Sequence, residues 1–290
     1  MLTAPFKMYS PGINQKEIIC WEDGKTIQRL DKVVAEEPLE IIIRLKIDKK
    51  TIFKTISITM RTPGLDEKLC LGFLFNEGII DSKDDVISID HRMNCSDLEI
   101  TNQSIILELK PNLNHRILNL NRHFYTTSSC GVCGKTAIDL AITSCHYIPK
   151  KLERSINPST LGKLPELLKK EQILFHLTGG IHACGIFNLK NELIYFAEDV
   201  GRHNALDKVA GWCLENQLLP MSDHILILSG RASFELIQKA MCMGIPVICS
   251  VGAPSSLAIE LAESQGITLI GFLKSNKMNI YSGYFRLESE

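Results

Sequence analysis

From residue 192 onward the chain alternates strand-like and helix-like segments so regularly that few architectures can hold it. A strand pattern at Glu192 to Ala197 is followed by a helix over Asn204 to Asn216 and a strand over His224 to Ser229. Then come a helix over Ser233 to Met243, a strand over Ile245 to Ser250, a helix over Ser256 to Gln265 and a strand over Ile267 to Leu273. Leu206, Val209, Ala210 and Cys213 recur at helical spacing, Ser233 and Ser256 suit helix caps, and Gly244 and Gly266 suit the left-handed position after a helix. Strand and helix in alternation predict an α/β architecture: a largely parallel sheet with helices packed on its faces.

In such a sheet ligands collect in the crevice beyond the carboxyl ends of the strands. Here those ends read Glu198-Asp199-Val200-Gly201-Arg202-His203-Asn204, Ser229-Gly230-Arg231-Ala232-Ser233, Ser250-Val251-Gly252-Ala253-Pro254-Ser255-Ser256 and Leu273-Lys274-Ser275-Asn276-Lys277. Each joins small or turn residues to hydroxyls, amides or cations, and three lead into a helix start, which favours an anion. Ser229, Gly230 and Arg231 stand out: a strand end, a glycine that permits close approach, and a guanidinium suited to bidentate phosphate contact. Ordinary capping and turn chemistry accounts for any one of these loops, but less easily for four in succession. Asp199 and Arg202 can pair with each other, or Arg202 can face the ligand; His182 and His203 receive no role.

The chain before residue 125 has a different texture. Leu39 to Ile47, Ile52 to Met60, Val86 to Asp90 and Leu98 to Leu109 are rich in Ile and Leu with partial alternation, which predicts antiparallel ladders with one solvated face. One helix interrupts them: after Arg61-Thr62-Pro63-Gly64, Asp66 and Glu67 open a segment with Leu69, Cys70, Phe73 and Leu74 at helical spacing, and Gly78 ends it. The expected organisation is a strand-rich region over 1–125 and an α/β region over 126–290, α+β taken as a whole.

With 32 Lys and Arg against 33 Asp and Glu, the net charge of -1 supplies no global field toward nucleic acid or an anionic membrane. Met1 to Ile13 carries Pro5, Pro11 and Gly12 instead of a basic start and an apolar run, and no apolar stretch approaches the roughly 18 residues of a membrane span. A cytoplasmic protein is expected. Of ten cysteines, Cys20, Cys70, Cys145, Cys184, Cys213, Cys242 and Cys249 are scattered, mostly among apolar neighbours, and read as buried reduced thiols.

Cys130 and Cys133 form the one close pair, within Ser128-Ser129-Cys130-Gly131-Val132-Cys133-Gly134-Lys135-Thr136. A thiol just before a helix and beside Lys135 ionises readily, and thiolate is the reactive form. Gly131 and Gly134 bare the sulfurs and permit positive φ. A structural zinc site needs four ligands and the sequence has no second Cys-x-x-Cys, though His182 and Cys184 can complete one. The order of a zinc deaminase, His-x-Glu before Pro-Cys-x-x-Cys, is absent. No strand precedes the pair, as a thioredoxin-type motif requires, and Ser129 stands where a P-loop begins with glycine. A sulfur carrier, which holds sulfur as a persulfide on a glycine-flanked thiol, also fits.

Taken together the motifs resemble the formate dehydrogenase accessory sulfurtransferase family, FdhD/NarQ. The resembling stretches are Arg61 to Gly64, Leu71 to Gly78, Ser128 to Lys135, Thr178 to His182, Glu198 to Lys208, Ser229 to Glu235, Ala253 to Ala258, Gly271-Phe272 and Tyr281-Ser282. The resemblance implies a homodimeric carrier that takes sulfur from a cysteine desulfurase and delivers it to the molybdenum cofactor, bis-molybdopterin guanine dinucleotide, before insertion into formate dehydrogenase. It places the persulfide on Cys130, with Cys133 assisting or resolving the transfer. Cofactor binding falls on Phe272, Leu273, Lys274, Ser275, Asn276 and Lys277, where two lysines can meet a diphosphate and Phe272 offers an aromatic face. It also implies a three-layer α/β/α C-terminal domain similar in fold to cytidine deaminases, and no structural metal. Two positions depart from the family pattern: Cys184, where alanine is common, adds a thiol near the crevice, and Gly252, where serine is common, removes a hydroxyl facing an anion. The rival readings are a non-catalytic chaperone for the same cofactor and a zinc protein built on the cysteine pair.

Overall fold

The computed structural model describes residues 12–47, 50–93, 103–119, 138, 145, 147, 149 and 155–288. Cys130 and Cys133 lie outside the described residues, as does the expected boundary near residue 125.

Strands β1 (Ile13–Glu22) and β2 (Lys25–Val34) form an antiparallel hairpin closed by Asp23 and Gly24. Both turn residues have positive φ, 49° and 80°, as a two-residue hairpin turn requires. Next come β3 (Glu37–Ile47), β4 (Lys50–Arg61), β5 (Val86–Met93) and β6 (Gln103–Leu109), in the sheet order β4-β3-β6-β5. The expected antiparallel pairing holds for β3–β4 and β5–β6, but β3 and β6 run parallel. Parallel pairing follows from the connection: between β4 and β6 the chain inserts helix α1 (Asp66–Asn76) and β5, so β6 returns beside β3 in the same direction. Leu39, Ile41, Ile43 and Leu45 bury one face against α1, while Glu40 and Arg44 alternate on the other.

Helix α1 begins as its sequence suggests. Asp66 and Glu67 occupy the positive first turn, and Arg61, fully buried, grips both Asp66 carboxylate oxygens at 2.9 Å. Gly78, at φ 67°, turns the chain out. Almost every side of α1 is buried, because it is enclosed between the four-stranded sheet and a helix of the C-terminal half.

The short helices α2 (Asn114–Asn119), α3 (Pro158–Leu161), α4 (Leu164–Glu171) and α5 (Ile173–Thr178) lead to β7 (His182–Asn188) and β8 (Leu193–Asp199). The alternation then runs α6 (Arg202–Glu215), β9 (His224–Leu228), α7 (Phe234–Cys242), β10 (Val247–Ser250), α8 (Ser256–Ser264), β11 (Thr268–Lys274), β12 (Lys277–Ser282). From α6 to β11 these bounds depart from the sequence expectation by no more than two residues, whereas β12 had no counterpart in it. The sheet order is β12-β11-β10-β9-β7-β8. It is mixed, not largely parallel: only the β9–β10 and β10–β11 pairs are parallel, while β11–β12, β7–β9 and β7–β8 are antiparallel.

Helices cover both faces. Cys184, Ile186, Leu226, Leu228, Ile248 and Leu269 meet α6, α7 and α8 in a core that continues without a break through α1 to the four-stranded sheet. Residues of opposite parity, among them Ala183, Phe187, Ile227 and Cys249, meet Leu161, Leu164 and Leu168 of α3 and α4. Cys145 and Cys242 are joined by a disulfide with a Cα–Cα separation of 4.6 Å, so the expectation of reduced thiols fails for this pair. Cys70, Cys184, Cys213 and Cys249 are buried free thiols, while Cys20 lies half-buried on the hairpin.

Candidate functional site

The carboxyl ends of β9, β10 and β11 are joined by a short backbone ladder. Gly252 N–H donates to Gly230 O at 3.0 Å and Phe272 N–H donates to Gly252 O at 3.1 Å. Ala232 N–H donates to Ala253 O, Ser255 N–H to Ala232 O, and Ser250 Oγ–H to Gly230 O at 2.6 Å. The loops after β9 and β10 therefore act as one rim. Glycine is required there: a Cβ on residue 252 would lie 2.9 Å from both Gly230 O and Arg231 N. The departure at Gly252 thus has a packing cause, the closing of two loops, and is not simply a lost hydroxyl.

Below the rim, on the face covered by α4 and α5, lies a cleft of about 480 Å³. Its walls include Gln172, Gly179, Gly180, His182, Ser229 and Val251. Ser229 extends the β7–β9 ladder, its N–H donating to Ala183 O and its Oγ accepting from Ala183 N–H at 2.8 Å. Gly230 leaves room for the His182 ring, whose nearest atoms would lie 3.2 Å from a Cβ there. Arg231 is exposed at the rim, with no side-chain partner among the described residues. Glu198 holds α5 in place over the cleft: its carboxylate accepts from the Leu174 and Phe175 N–H groups at 3.0 and 2.9 Å.

On the other face of the sheet the starts of α6 and α7 converge. His203 Nε2 lies 2.9 Å from Glu235 Oε2 and 3.3 Å from Ser233 Oγ, which joins the Glu198 to Lys208 motif to the Ser229 to Glu235 motif. That hydrogen bond holds the Glu235 carboxyl below the usual carboxylate range. Burial, and after it the Arg202 charge, holds the His182 imidazole below its ordinary value. The neutral ring is therefore the form that suits the fold. Unfolding frees His182 to take up a proton, so stability is retained above the ordinary histidine value of about 6.5 and declines as the pH falls below it. His224, also depressed by burial, adds to the same slope. Urea denaturation at neutral and mildly acid pH should show His182→Gln losing less stability on acidification than the parent; an equal loss in both would remove His182 from this account.

Asp199 does not pair with Arg202. It pairs with Lys208, at 2.7 Å, in full burial. Cys184 does not reach the crevice either: it is 1% exposed, its Sγ–H points to Arg202 O, and burial pushes its thiol far above the ordinary value. A thiol so held is neither nucleophile nor ready metal ligand, and among the described residues no group of three or more His, Cys, Asp or Glu is placed to hold a metal.

The segment Phe272 to Lys277 divides. Phe272 sits at φ 53° in a bulge of β11 and is 42% exposed. Leu273, expected to bind cofactor, instead points into the second core at 1% exposure, because the bulge reverses the alternation there. Lys274 and Lys277 face each other across the β11–β12 hairpin, with Ser275 and Asn276 in the turn, all four exposed. Like charges in register repel, and neither lysine meets a carboxylate among the described ion pairs. The Phe272 backbone joins this hairpin to the rim, while its residues do not line the 480 Å³ cleft. Gln172 and the α4–α5 cover carry no motif that could have marked them in the sequence; Gly179, Gly180 and His182 were marked by Thr178 to His182.

No helix among the described residues is long and apolar enough to cross a membrane. The chain is 43% identical over 260 residues to "Sulfur carrier protein FdhD" of Mycolicibacterium paratuberculosis, covering 89% of this chain and 93% of that protein. It is 42% identical to the proteins of that name from Streptomyces coelicolor, over 276 residues covering 94% and 95%, and Picrophilus torridus, over 275 residues covering 94% and 97%. A crystal structure described as a putative formate dehydrogenase accessory protein from Desulfotalea psychrophila shares the fold, with a TM-score of 0.70 at 21% identity over 96% of this chain and 100% of that one. The residue pattern of the FdhD/NarQ family matches residues 34–288, a span that takes in both large sheets, the helix between them and the whole rim, and the chain belongs to that family.

Proposed function

We propose that the chain is a cytoplasmic sulfurtransferase that carries sulfur on Cys130 from a cysteine desulfurase to the molybdenum cofactor, bis-molybdopterin guanine dinucleotide, before insertion into formate dehydrogenase. The observation that carries this reading is the name shared by relatives more than 40% identical over nearly the full length of both chains. The Cys130 thiolate attacks the outer sulfur of the donor's persulfide; the donor's S–S bond breaks and its cysteine leaves as thiolate. Attack of Cys133 on the inner sulfur of Cys130 then expels the outer sulfur as hydrosulfide and leaves a Cys130–Cys133 disulfide, which a dithiol reductant reopens. Ser229, Gly230 and Arg231 at the rim, with Phe272, Lys274, Ser275, Asn276 and Lys277 on the adjoining hairpin, bind the dinucleotide cargo. Lys274 and Lys277, without a carboxylate partner among the described residues, supply the charge its diphosphate needs. A homodimer brings two such rims to a ligand that has two pterin-dinucleotide halves.

Peptide mass spectrometry after incubation with a cysteine desulfurase and cysteine should find one added sulfur on the peptide carrying Cys130 and Cys133. Cys130→Ala should abolish it and with it the activation of formate dehydrogenase. If the variant lacking both thiols still activates the enzyme, the chain is a chaperone and not a sulfurtransferase.

A further inference from the structure

Gln172 is a buried polar side chain that the fold leaves unused. The residue joins α4 to α5, and its backbone is fully engaged: its N–H donates to Lys169 O at 3.2 Å and its C=O accepts from His176 N–H at 3.1 Å. It is 5% exposed and lines the 480 Å³ cleft, yet its carboxamide has no hydrogen-bond partner among the described residues. Burying an amide without a partner is destabilising. A group that the fold keeps at such a cost has its partner in whatever enters the cleft. Ser229, on the sheet side of the same cleft, is half satisfied: its Oγ accepts from Ala183 N–H at 2.8 Å, while its own proton meets no acceptor among the described residues. Gln172 and Ser229 together offer the cleft two donors and an acceptor.

The remaining walls define the ligand. Leu168, Phe175, Ile181 and Ile227 are apolar, and the two charged lining residues, Glu166 and Lys169, are exposed and of opposite sign. Such a cleft does not suit a phosphate. It suits a neutral flat ring that lies against Phe175 and carries a donor beside an acceptor on its edge, because a carboxamide pairs with that edge in two hydrogen bonds. The volume falls within the roughly 300–1,000 Å³ of small-ligand sites. The dinucleotide cargo carries two rings with a lactam edge of this kind, pterin and guanine, one on each side of its diphosphate. The lysines decide between them. Lys274 and Lys277 lie on the hairpin that begins at the exposed Phe272, and none of the three lines the cleft. Strand β9, which ends at the cleft, is two strand spacings from β11, about 10 Å. Guanine on Phe272, with the diphosphate between the lysines and Arg231, leaves the pterin at the end of β9. We infer that the cleft holds the pterin ring of the cargo, with Gln172 paired to its lactam edge and Ser229 donating to a ring acceptor. The identity of the ring rests on the cofactor reading above.

Neopterin, a pterin without phosphate, tests this through the quenching of its own fluorescence by the full chain, with guanosine diphosphate binding measured in parallel. The parent should quench neopterin saturably, and saturating guanosine diphosphate should leave the neopterin Kd unchanged. Gln172→Leu, which keeps the volume and removes the carboxamide, should weaken neopterin binding about tenfold or more, the worth of two hydrogen bonds. It should leave guanosine diphosphate binding as it was and leave the urea midpoint of the unliganded chain equal or higher, since an unpartnered amide is removed. A lower midpoint would show that the carboxamide serves the fold, and overturns the inference. Displacement of neopterin by guanosine diphosphate overturns it too, by making the cleft the seat of guanine, as does equal neopterin affinity in parent and variant. A parent that binds guanosine diphosphate but not neopterin overturns the pterin seat and leaves the cofactor reading standing; a parent that binds neither overturns both.

Discussion

Gly72→Ala and Gly211→Ala should each unfold the protein at markedly lower urea, at a cost of about 3 kcal/mol or more, the upper range for forcing extra volume into a packed core. The two glycines are the crossing point of α1 and α6. A Cβ on residue 72 would lie 1.8 Å from Asp207 O, and one on residue 211 would lie 1.9 Å from Lys68 O. Both obstacles are backbone, so no rotamer change relieves them; the helices must move apart. Helix propensity works in the opposite direction, since alanine is favoured over glycine within a helix by about 1 kcal/mol, and here the steric cost exceeds that gain. The consequence reaches the site, because α6 begins at Arg202 and His203. Each built Cβ also lies within 2.9 Å of the other glycine's backbone nitrogen, so one separation of the helices accommodates both and the double variant should lose less than the sum. If either alanine variant stayed within about 1 kcal/mol of the parent, a measure of ordinary surface tolerance, the close crossing would be wrong.

That crossing illustrates what was hidden in the sequence. A glycine inside a helical pattern reads as a weak point, and nothing local says that a second glycine 139 positions on faces it. Elements whose apolar run is bounded by turn or cap residues were legible: α6 to α8, β9 to β11, and α1 from Asp66 to the turn at Gly78. Elements without such a bounded run were not. β7, His-Ala-Cys-Gly-Ile-Phe-Asn, is buried on both faces, so its side chains do not alternate, and its leading glycines resemble a turn. β1 and β2 are exposed on both faces and offered no apolar alternation. The parallel β3–β6 pair and the Cys145–Cys242 bond join residues 64 and 97 apart, beyond any local pattern.

The site divides along the same line. The strand-end loops were legible because ligand crevices follow from topology, and the structure draws Gly230, Gly252 and Phe272 together by backbone bonds. The Leu273 side chain falls in the core because a bulge shifts the alternation by one residue, which only the β11–β12 register reveals. For Asp199 the sequence offered Arg202 as a partner by charge and proximity, whereas α6 geometry places Lys208, nearly two turns further on, beneath it.

Lys208→Met should be the most damaging substitution outside the helix crossing. The ammonium is 1% exposed and every proton is used: it meets Asp199 Oδ2 at 2.7 Å, Thr62 O at 2.9 Å and Glu198 O at 3.2 Å. Asp199, 0% exposed, also accepts from the N–H groups of Thr62 and Gly201 and from Asn204 Nδ2. A pair satisfied this fully adds little over a well-packed apolar one, because both charges were stripped of water. Removing one partner is different, since it strands the other charge in the core at a cost of about 3–5 kcal/mol. The expected result is a loss of that size for Lys208→Met and a comparable loss for Asp199→Asn, with the double variant well short of their sum in a urea double-mutant cycle. Additive losses would mean that the two groups do not act as a pair. The pair also ties Thr62, in the loop before α1, to the end of β8, where Val200 lines the cleft and His203 meets Ser233. Lys208→Met should therefore weaken binding of guanosine diphosphate, used as the probe for the dinucleotide, even at temperatures where the variant stays folded. Unchanged binding would confine Lys208 to stability and separate the buried pair from the site it adjoins.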